Sequence, residues 1–350
     1  MSPGGHCYGY RKAPFMQGSI GRIGRSALGR LPDSTQAAAR RLRDELAGLG
    51  QLKVNQNMLA MRVSALEGRL GTVPAPGPTP VDPRFPDHVR SRLCTQNQME
   101  SPWFTGWCQA MGIPPYAHRK QWEFAYIAEV LSTFGMLEPG RRGIGFGVGR
   151  EPLVSLFASR GVEVMATDLE ADAREAIGWI KSGQHAEGGV DGLLRDGVID
   201  VEQLRSLVQW RAVDMSAIPD DLTGYDFTWS ACSLEHIGTL QLGLDFIENS
   251  LKTLKPGGIA VHTTEFNVSS NEDTVEAGAT VVYRERDLIP LREKLEAAGH
   301  DVAAFDFNRG EGLLDKYVDV PPYADEPVLR FQFGPYTLTS VAMVIRKGPA

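Results

Sequence analysis

Three glycines and two acids are spaced so that they could hold the polar end of a nucleotide-containing cofactor. Gly145, Gly147 and Gly149 close an apolar run, and glycine permits both a tight turn and the close approach of a ligand to the backbone. Asp168, about 20 residues on, is expected at the end of the next strand, where a carboxylate can bind both hydroxyls of a ribose. Asp214 is expected to end a third strand, where it could accept the amino group of an adenine. The spacing predicts a cofactor cleft at the ends of these strands.

A dinucleotide site makes similar demands, but one residue argues against it. The fingerprint G-x-G-x-x-G would need Gly or Ala at position 150, where the chain has Arg150. A nicotinamide-dependent oxidoreductase is therefore a disfavoured alternative. The glycines could also be turn residues without any ligand.

A second group of residues could move a proton from an acceptor molecule. Glu235 and His236 follow the fourth predicted strand, and Glu265 lies near the end of the fifth. Because the ordinary pKa of histidine lies near neutral pH, His236 is the first candidate for a general base, followed by Glu265 and Glu235. In the alternative interpretation, Glu235 and His236 only cap or orient the following helix.

Strand alternation makes a further prediction about the fifth strand. His262 and Thr264 should lie on one face of the sheet, and Thr263 and Glu265 on the other. A divalent metal held by His236, Glu265 and His262 is an open alternative. No close ligand spacing supports it, so no metal is expected.

Three residues at the start of a predicted helix could contact an acceptor. Arg119, Lys120 and Trp122 could close over the cofactor or bind an acidic or sugar substrate. Equally, the segment could be a half-buried helix with Trp122 in the core.

The elements that must position these residues alternate along the chain. Strands are predicted over 143–148, 162–168, 210–215, 225–232 and 259–266, and helices over 118–137, 150–161, 234–254 and 286–300. Such alternation is typical of an α/β fold, with a mostly parallel, doubly wound, seven-stranded sheet. Two late strands, 301–307 and 336–347, are expected to form an antiparallel C-terminal edge.

The N-terminal region differs in composition from the rest. Residues 1–33 are rich in Gly and Arg and are expected to be a disordered leader. Residues 34–70 carry a leucine stripe typical of a short coiled coil, through which the chain could form a homo-oligomer, or of an amphipathic helix packed on the body. A proline-rich linker, 71–86, precedes the body, 87–350.

Charge and cysteine content limit the choice of partners and compartment. Residues 1–71 hold 11 Lys and Arg against 4 Asp and Glu, and the remainder holds 25 against 39. An acidic body does not favour a nucleic-acid partner. None of the four cysteines lies in CxxC spacing, and the sequence has neither a secretory leader nor an apolar run of the ~20 residues that would span a membrane. A cytoplasmic protein is expected.

Several motifs together resemble the class I S-adenosylmethionine-dependent methyltransferases, over roughly residues 118–346. They are GIGFGVG, ATDLE, VDM, WSACSLEHIG, LKPGG and YRERDLIPLREKLEAAGH. Three further segments, RKQWEFAYI, VHTTEFN and TSVAMVIRK, are similar to a bacterial branch found beside glycosyltransferases in polysaccharide biosynthesis clusters.

The resemblance implies that the cofactor is S-adenosyl-L-methionine. Matched position by position, its binding residues would be Gly145, Gly147, Gly149, Asp168, Asp214, Met215 and Ser230. One departure concerns the acid that usually stands two residues before the first glycine, where this chain has Gly143. The acid for the methionine amino group would come from elsewhere, with Glu123 as a candidate.

The resemblance also implies the reaction, which is methyl transfer, most simply to a hydroxyl of a sugar or glycan. Two alternatives stay open. One is a natural-product methyltransferase with a small aromatic or amine acceptor, and the other is a non-catalytic coiled-coil scaffold that retains the cofactor fold.

Overall fold

The computed structural model describes residues 82–170, 189–321, 323 and 327–349. The predicted leader (1–33) and the predicted coiled-coil helix (34–70) lie outside the described residues, as does the linker up to residue 81. No helix in the described ranges is long and apolar enough to cross a membrane.

One mixed sheet forms the centre of the molecule. Its strands are β1 (Ser91–Leu93), β2 (Arg142–Phe146), β3 (Glu163–Asp168), β4 (Val208–Ala212), β5 (Tyr225–Ala231), β6 (Leu254–Asn267), β7 (Asp301–Val302), β8 (Phe305–Asp306), β9 (Val318–Asp319), β10 (Arg330–Phe333) and β11 (Tyr336–Arg346). The main path runs β4-β3-β2-β5-β6-β11-β1-β8. The five strands from β4 to β6 are parallel, as predicted from the alternation.

The C-terminal part of the sheet differs from the prediction. β11 pairs antiparallel with β6 over nine residue pairs, but it lies inside the sheet, because β1 pairs with its other side. The expected strand 301–307 is two strands of two residues, β7 and β8. The described residues thus form an eleven-stranded sheet, so the predicted count of seven strands and the edge position of the last strand are corrected, whereas its antiparallel pairing is confirmed. Short strands such as β1 were missed because three residues carry no detectable periodicity.

Helices cover both faces of the sheet. They are α1 (Gln96–Met99), α2 (Pro102–Ala110), α3 (Arg119–Thr133), α4 (Leu153–Ser159), α5 (Val201–Leu207), α6 (Leu240–Ser250), α7 (Glu285–Ala297) and α8 (Leu313–Lys316). Aromatic rings of α4 and β5 pack on one face, and Phe246 of α6 packs edge-on against Phe146 on the other. Covering both faces is what permits a buried parallel sheet.

One long predicted helix, 234–254, is broken into three pieces, of which the last is a 3₁₀ turn, Leu251–Thr253. A 3₁₀ turn, Leu234–His236, comes first, and α6 begins only after Thr239, whose hydroxyl accepts from the backbone N–H of Leu242. Gly238 between them has a φ of 107°, which no helix allows. The break holds Glu235 and His236 in a short 3₁₀ turn at the end of β5 instead of within a long α-helix.

The end of the predicted linker packs on the body. Phe85 is buried and contacts the Phe134 ring edge-on, with centroids 6.0 Å apart. Arg84 forms ion pairs with Asp82 and with Glu296 of α7. The sequence from residue 82 to 86 is therefore part of the folded body.

Candidate functional site

A glycine turn follows β2 at the point where the strand order reverses. β2 is followed in sequence by β3 on one side, while β5 lies on its other side, and open α/β sheets bind ligands at such a switch point. Gly147 and Gly149 have φ angles of 60° and 48°, in the left-handed region that favours glycine. A Cβ on Gly147 would lie 2.7 Å from Cβ of Ser233 and 3.3 Å from Sδ of Met215. The turn is therefore closely bordered by the segments that follow β4 and β5.

Gly145 has a different reason to lack a side chain. It lies within β2, and a Cβ there would be 2.3 Å from Cζ2 of Trp229. Packing against the Trp229 ring is enough by itself to require a glycine here, and the assignment of Gly145 to the cofactor stays a prediction.

Asp168 at the end of β3 is oriented by the backbone. Its Oδ2 accepts from the N–H of Gly149 at 3.1 Å, and its Oδ1 accepts from the N–H of Leu169 at 2.8 Å. The carboxylate is thus fixed beside the glycine turn, as the spacing predicted. Asp214, exposed after β4, accepts from the backbone N–H and the hydroxyl of Ser216.

Glu151 was not singled out by the sequence, yet it lies two residues beyond the glycine turn with its side chain buried. Nε1 of Trp229 donates to its Oε1 at 2.5 Å. Burial raises the pKa of Glu151 to about 8, although the hydrogen bond from Trp229 lowers it. A carboxyl next to a predicted ligand cleft with so perturbed a pKa is a candidate for function.

A buried cluster of charges occupies the ends of β5 and β6. Nη2 of Arg119 lies 2.6 Å from Oε1 of Glu265, and its Nη1 lies 3.3 Å from Oε1 of Glu123. Lys120 approaches the other oxygen of Glu123, at 3.5 Å, while its side chain keeps 26% exposure. Arg119 and Lys120 come from the first turn of α3, where the ring nitrogen of His118 caps the helix.

The two faces of β6 contribute differently, as strand alternation predicted. Thr263 and Glu265 face α3, where their partners are Glu123 and Arg119. Thr264 is on the other face and donates to Oε2 of Glu235 at 3.0 Å. The predicted alternation is confirmed.

Glu235 and Glu265 are both buried carboxyls. Burial raises the pKa of Glu235, with Lys120 acting in the opposite direction, and burial raises the pKa of Glu265, with Arg119 opposing it. Nδ1 of His236 lies 2.8 Å from the carbonyl oxygen of Ala279, which requires a hydrogen on that nitrogen. Burial lowers the pKa of His236 to about 4, so the imidazole is neutral near pH 7. Its Nε2 lies 3.8 Å from Oε1 of Glu235.

Cys232 completes this cluster and was not predicted from the sequence. Its Sγ lies 3.9 Å from Nη1 of Arg119, and burial raises its pKa. Its φ of 45° is the only left-handed value at a non-glycine position among the described residues. Such strain is tolerated where the surroundings hold a side chain in place.

Three residues assigned to the site or to a metal are placed elsewhere. Trp122 is fully buried, stacks on Tyr126 with centroids 5.1 Å apart, and donates to Gln98, so its assignment to the substrate is corrected. Oγ of Ser230 lies 2.8 Å from Nδ1 of His262, whose Nε2 lies 3.0 Å from Oγ of Ser250. Ser230 and His262 are therefore buried partners of one another, away from Glu265, and the metal alternative that used His262 is wrong.

Comparisons with known proteins give similarities of fold. No family model matches the chain, and no curated protein matches it. A S-adenosylmethionine-dependent methyltransferase from Clostridium acetobutylicum is 12% identical over 66% of this chain and 92% of its own, with a TM-score of 0.36. Magnesium protoporphyrin IX methyltransferase from Synechocystis, solved with bound SAM, is 13% identical over 72% of this chain and 95% of its own, with a TM-score of 0.38. The cyclase SpnF is 16% identical over 75% of this chain and 100% of its own, with a TM-score of 0.40. All three TM-scores lie below 0.5, and the geometry of the site is therefore the basis for the function proposed for this chain.

Proposed function

We propose that this chain is an S-adenosylmethionine-dependent methyltransferase that methylates a hydroxyl of a sugar or glycan. The observation that carries the proposal is the left-handed turn at Gly147 and Gly149, which is bonded to the carboxylate of Asp168 at the switch point of the sheet. A ribose would lie on Asp168, and the adenine would lie toward Asp214 and Met215. The charged cluster at the ends of β5 and β6 would then face the transferred methyl.

The amino group of the cofactor needs an acid that the glycine motif does not supply. Glu123 was one candidate, but it is fully buried and engaged by Arg119, Lys120, Thr263 and Ser340. Glu151 is the better candidate, because it follows the turn directly and no cation pairs with it among its described hydrogen bonds and ion pairs. An ammonium beside Glu151 would compensate its buried carboxylate.

Proton transfer at the acceptor is assigned to His236, which is neutral near pH 7 and so able to accept a proton, although burial lowers its pKa to about 4 and so removes the near-neutral pKa expected from the sequence. A sulfonium methyl is already activated, so the enzyme must hold the acceptor in line and help a hydroxyl lose its proton. The bond from Nδ1 to the carbonyl of Ala279 sets the tautomer in which Nε2 is the basic nitrogen. Glu265 is the second candidate and Glu235 the third.

The polarity of the cluster supports a hydroxyl-rich acceptor. Arg119, Lys120, Glu235 and Glu265 line it with charged groups, whereas pockets for small aromatic ligands are lined mainly by apolar side chains. A sugar offers both donors and acceptors to the charged groups of such a cluster. Methylation of an aromatic or amine natural product would reject the proposed sugar or glycan acceptor.

Cofactor binding tests the first part of the proposal. Calorimetry should give saturable binding of S-adenosylmethionine, and Asp168→Ala should weaken it by ~1.5–3 kcal/mol, the scale for losing a charged hydrogen-bond acceptor. Glu163→Ala is the matched control, because Glu163 lies exposed at the opposite end of the same strand. Equal affinity in wild type and Asp168→Ala would reject the site, and tighter binding of NADH would reject the cofactor.

A methyl-transfer screen tests the second part. Saccharide acceptors should be methylated, whereas catechol-like and amine acceptors should not. If only catechol-like or amine acceptors are methylated, the proposed methyltransferase activity stands and the proposed sugar or glycan substrate is rejected.

A further inference from the structure

Three side chains with metal-binding atoms meet in the charged cluster. Sγ of Cys232, an oxygen of Glu235 and an oxygen of Glu265 all lie within 4.8 Å of one another, and all three residues are buried. They come from the end of β5, the turn after it and the end of β6. Ligand atoms around a zinc ion at ordinary bond lengths lie roughly 3–4 Å apart, so small side-chain rotations would bring these atoms together.

Two carboxylate oxygens in this group lack the partners that burial demands. Oε1 of Glu235 and Oε2 of Glu265 have no hydrogen-bond partner within the described part of the chain. Glu235 is 0% exposed and Glu265 is 6% exposed. A buried polar atom without a partner destabilises the fold and calls for an explanation, of which a bound ion is one.

The other oxygen of each carboxylate is already fixed. Thr264 donates to Oε2 of Glu235 at 3.0 Å, and Arg119 holds Oε1 of Glu265 at 2.6 Å. Metal-binding carboxylates are commonly oriented in this way, with one oxygen held by the protein and the other on the metal. One oxygen of each carboxylate is thus left without a partner, in a group that also contains the thiol of Cys232.

The charges of the cluster also favour a cation. Arg119 and Lys120 supply two positive charges against the carboxylates of Glu123, Glu235 and Glu265. Glu235 has no Lys or Arg ion pair in the described ranges, and the nearest ionisable nitrogen is that of His236 at 3.8 Å. A divalent ion would balance the third carboxylate together with a Cys232 thiolate.

We propose that Cys232, Glu235 and Glu265 bind a divalent transition-metal ion, with zinc as the natural occupant. A thiolate with two carboxylates suits zinc, and three protein ligands leave a position open for a further oxygen. His236 lies at the rim of this site, with its Nδ1 hydrogen on the carbonyl of Ala279. If the proposed methyl transfer is right, the open position would take the acceptor oxygen, and Glu235 and Glu265 would hold the ion instead of accepting the proton.

Cobalt titration of the full chain, stripped with a chelator and free of cofactor, tests the site directly. Co²⁺ bound to a thiolate produces a near-ultraviolet charge-transfer band, which should saturate at one ion per chain. Cys232→Ser should abolish the band. Cys108→Ser should retain it, because Cys108 is a buried thiol next to Gln121, outside the cluster.

Two results would overturn the proposal: the absence of a saturable band in the wild type, or an unchanged band in Cys232→Ser. If Cys232→Ser does not fold, as judged by circular dichroism, Glu235→Gln decides, with at least a tenfold loss of Co²⁺ affinity expected and an unchanged affinity refuting the site. Because no cofactor is present, failure of the metal site and failure of the methyltransferase proposal are separate results.

Discussion

Replacing Glu151 with Gln should change how the stability of the protein depends on pH. Glu151 is 7% exposed, and burial raises its pKa from 4.5 to about 8. Its Oε1 accepts from Trp229 at 2.5 Å, and the amide oxygen of Gln can accept the same bond. The substitution therefore removes the ionisation of Glu151 while keeping its shape and its partner.

The sign follows from which state takes up the proton. A carboxyl whose pKa is raised on folding stabilises the native state fully below the unfolded pKa, and this stability is lost as pH rises toward the folded pKa. Between about pH 4.5 and pH 8 the unfolded state is ionised and the native state is not. The free energy of unfolding should fall through this range by about 1.4 kcal/mol per pH unit because of Glu151 alone.

Urea denaturation of both proteins between about pH 5 and pH 8, followed by circular dichroism, measures this contribution. The contributions of other titrating groups cancel in the difference between the two curves. The free energy of unfolding of Glu151→Gln should therefore increase steadily relative to that of the wild type as the pH rises. Curves that stay parallel would refute the assigned burial of a neutral Glu151. Asp168, Glu123 and Lys120 are the charged groups that also act on Glu151, and all three are kept in the variant.

The same variant tests the assignment of Glu151 to the cofactor's amino group. An ammonium would favour the ionised carboxylate, so cofactor affinity of the wild type should rise with pH toward about 8. Glu151→Gln should bind more weakly, and its affinity should not rise in this way. If the wild type and Glu151→Gln bind the cofactor with equal affinity at every pH, Glu151 has only a structural role.

Three further substitutions test other parts of the site. Gly147→Ala places a Cβ 2.7 Å from Ser233 and should reduce cofactor affinity at least tenfold, as measured by calorimetry, whereas Gly140→Ala, at a similar φ of 82° with nothing within 4 Å, should not. His236→Ala should lower kcat by roughly 10²–10⁴-fold with cofactor affinity nearly unchanged, and near-normal turnover would make His236 structural. Burial lowers the pKa of His262 to about 3, so between pH 6.5 and pH 3 only the unfolded state binds a proton, and the free energy of unfolding falls as the pH falls. Measured by urea denaturation, this fall should be less steep in His262→Asn, by up to about 1.4 kcal/mol per pH unit, and an equally steep fall would contradict the burial of a neutral imidazole.

The local pattern of the sequence determined the parallel half of the sheet and the position of the glycine turn beside Asp168. Alternating strands and helices predict β2 to β6, and the glycines with Asp168 predict a turn beside an acid. The alternation along β6 was predicted from period two alone. These features depend on neighbours in sequence, so the pattern along the chain is enough to find them.

The tertiary structure alone decided which side chains meet. Thr263 and Glu123 are 140 residues apart in sequence, and no local period relates them. Trp122 is buried, Ser230 pairs with His262, and Cys232 joins Glu235 and Glu265 only because strands distant in sequence end at one edge of the sheet. Burial and pairing set the protonation and the partner of each group, and they depend on packing between elements, which the order of residues along one element does not record.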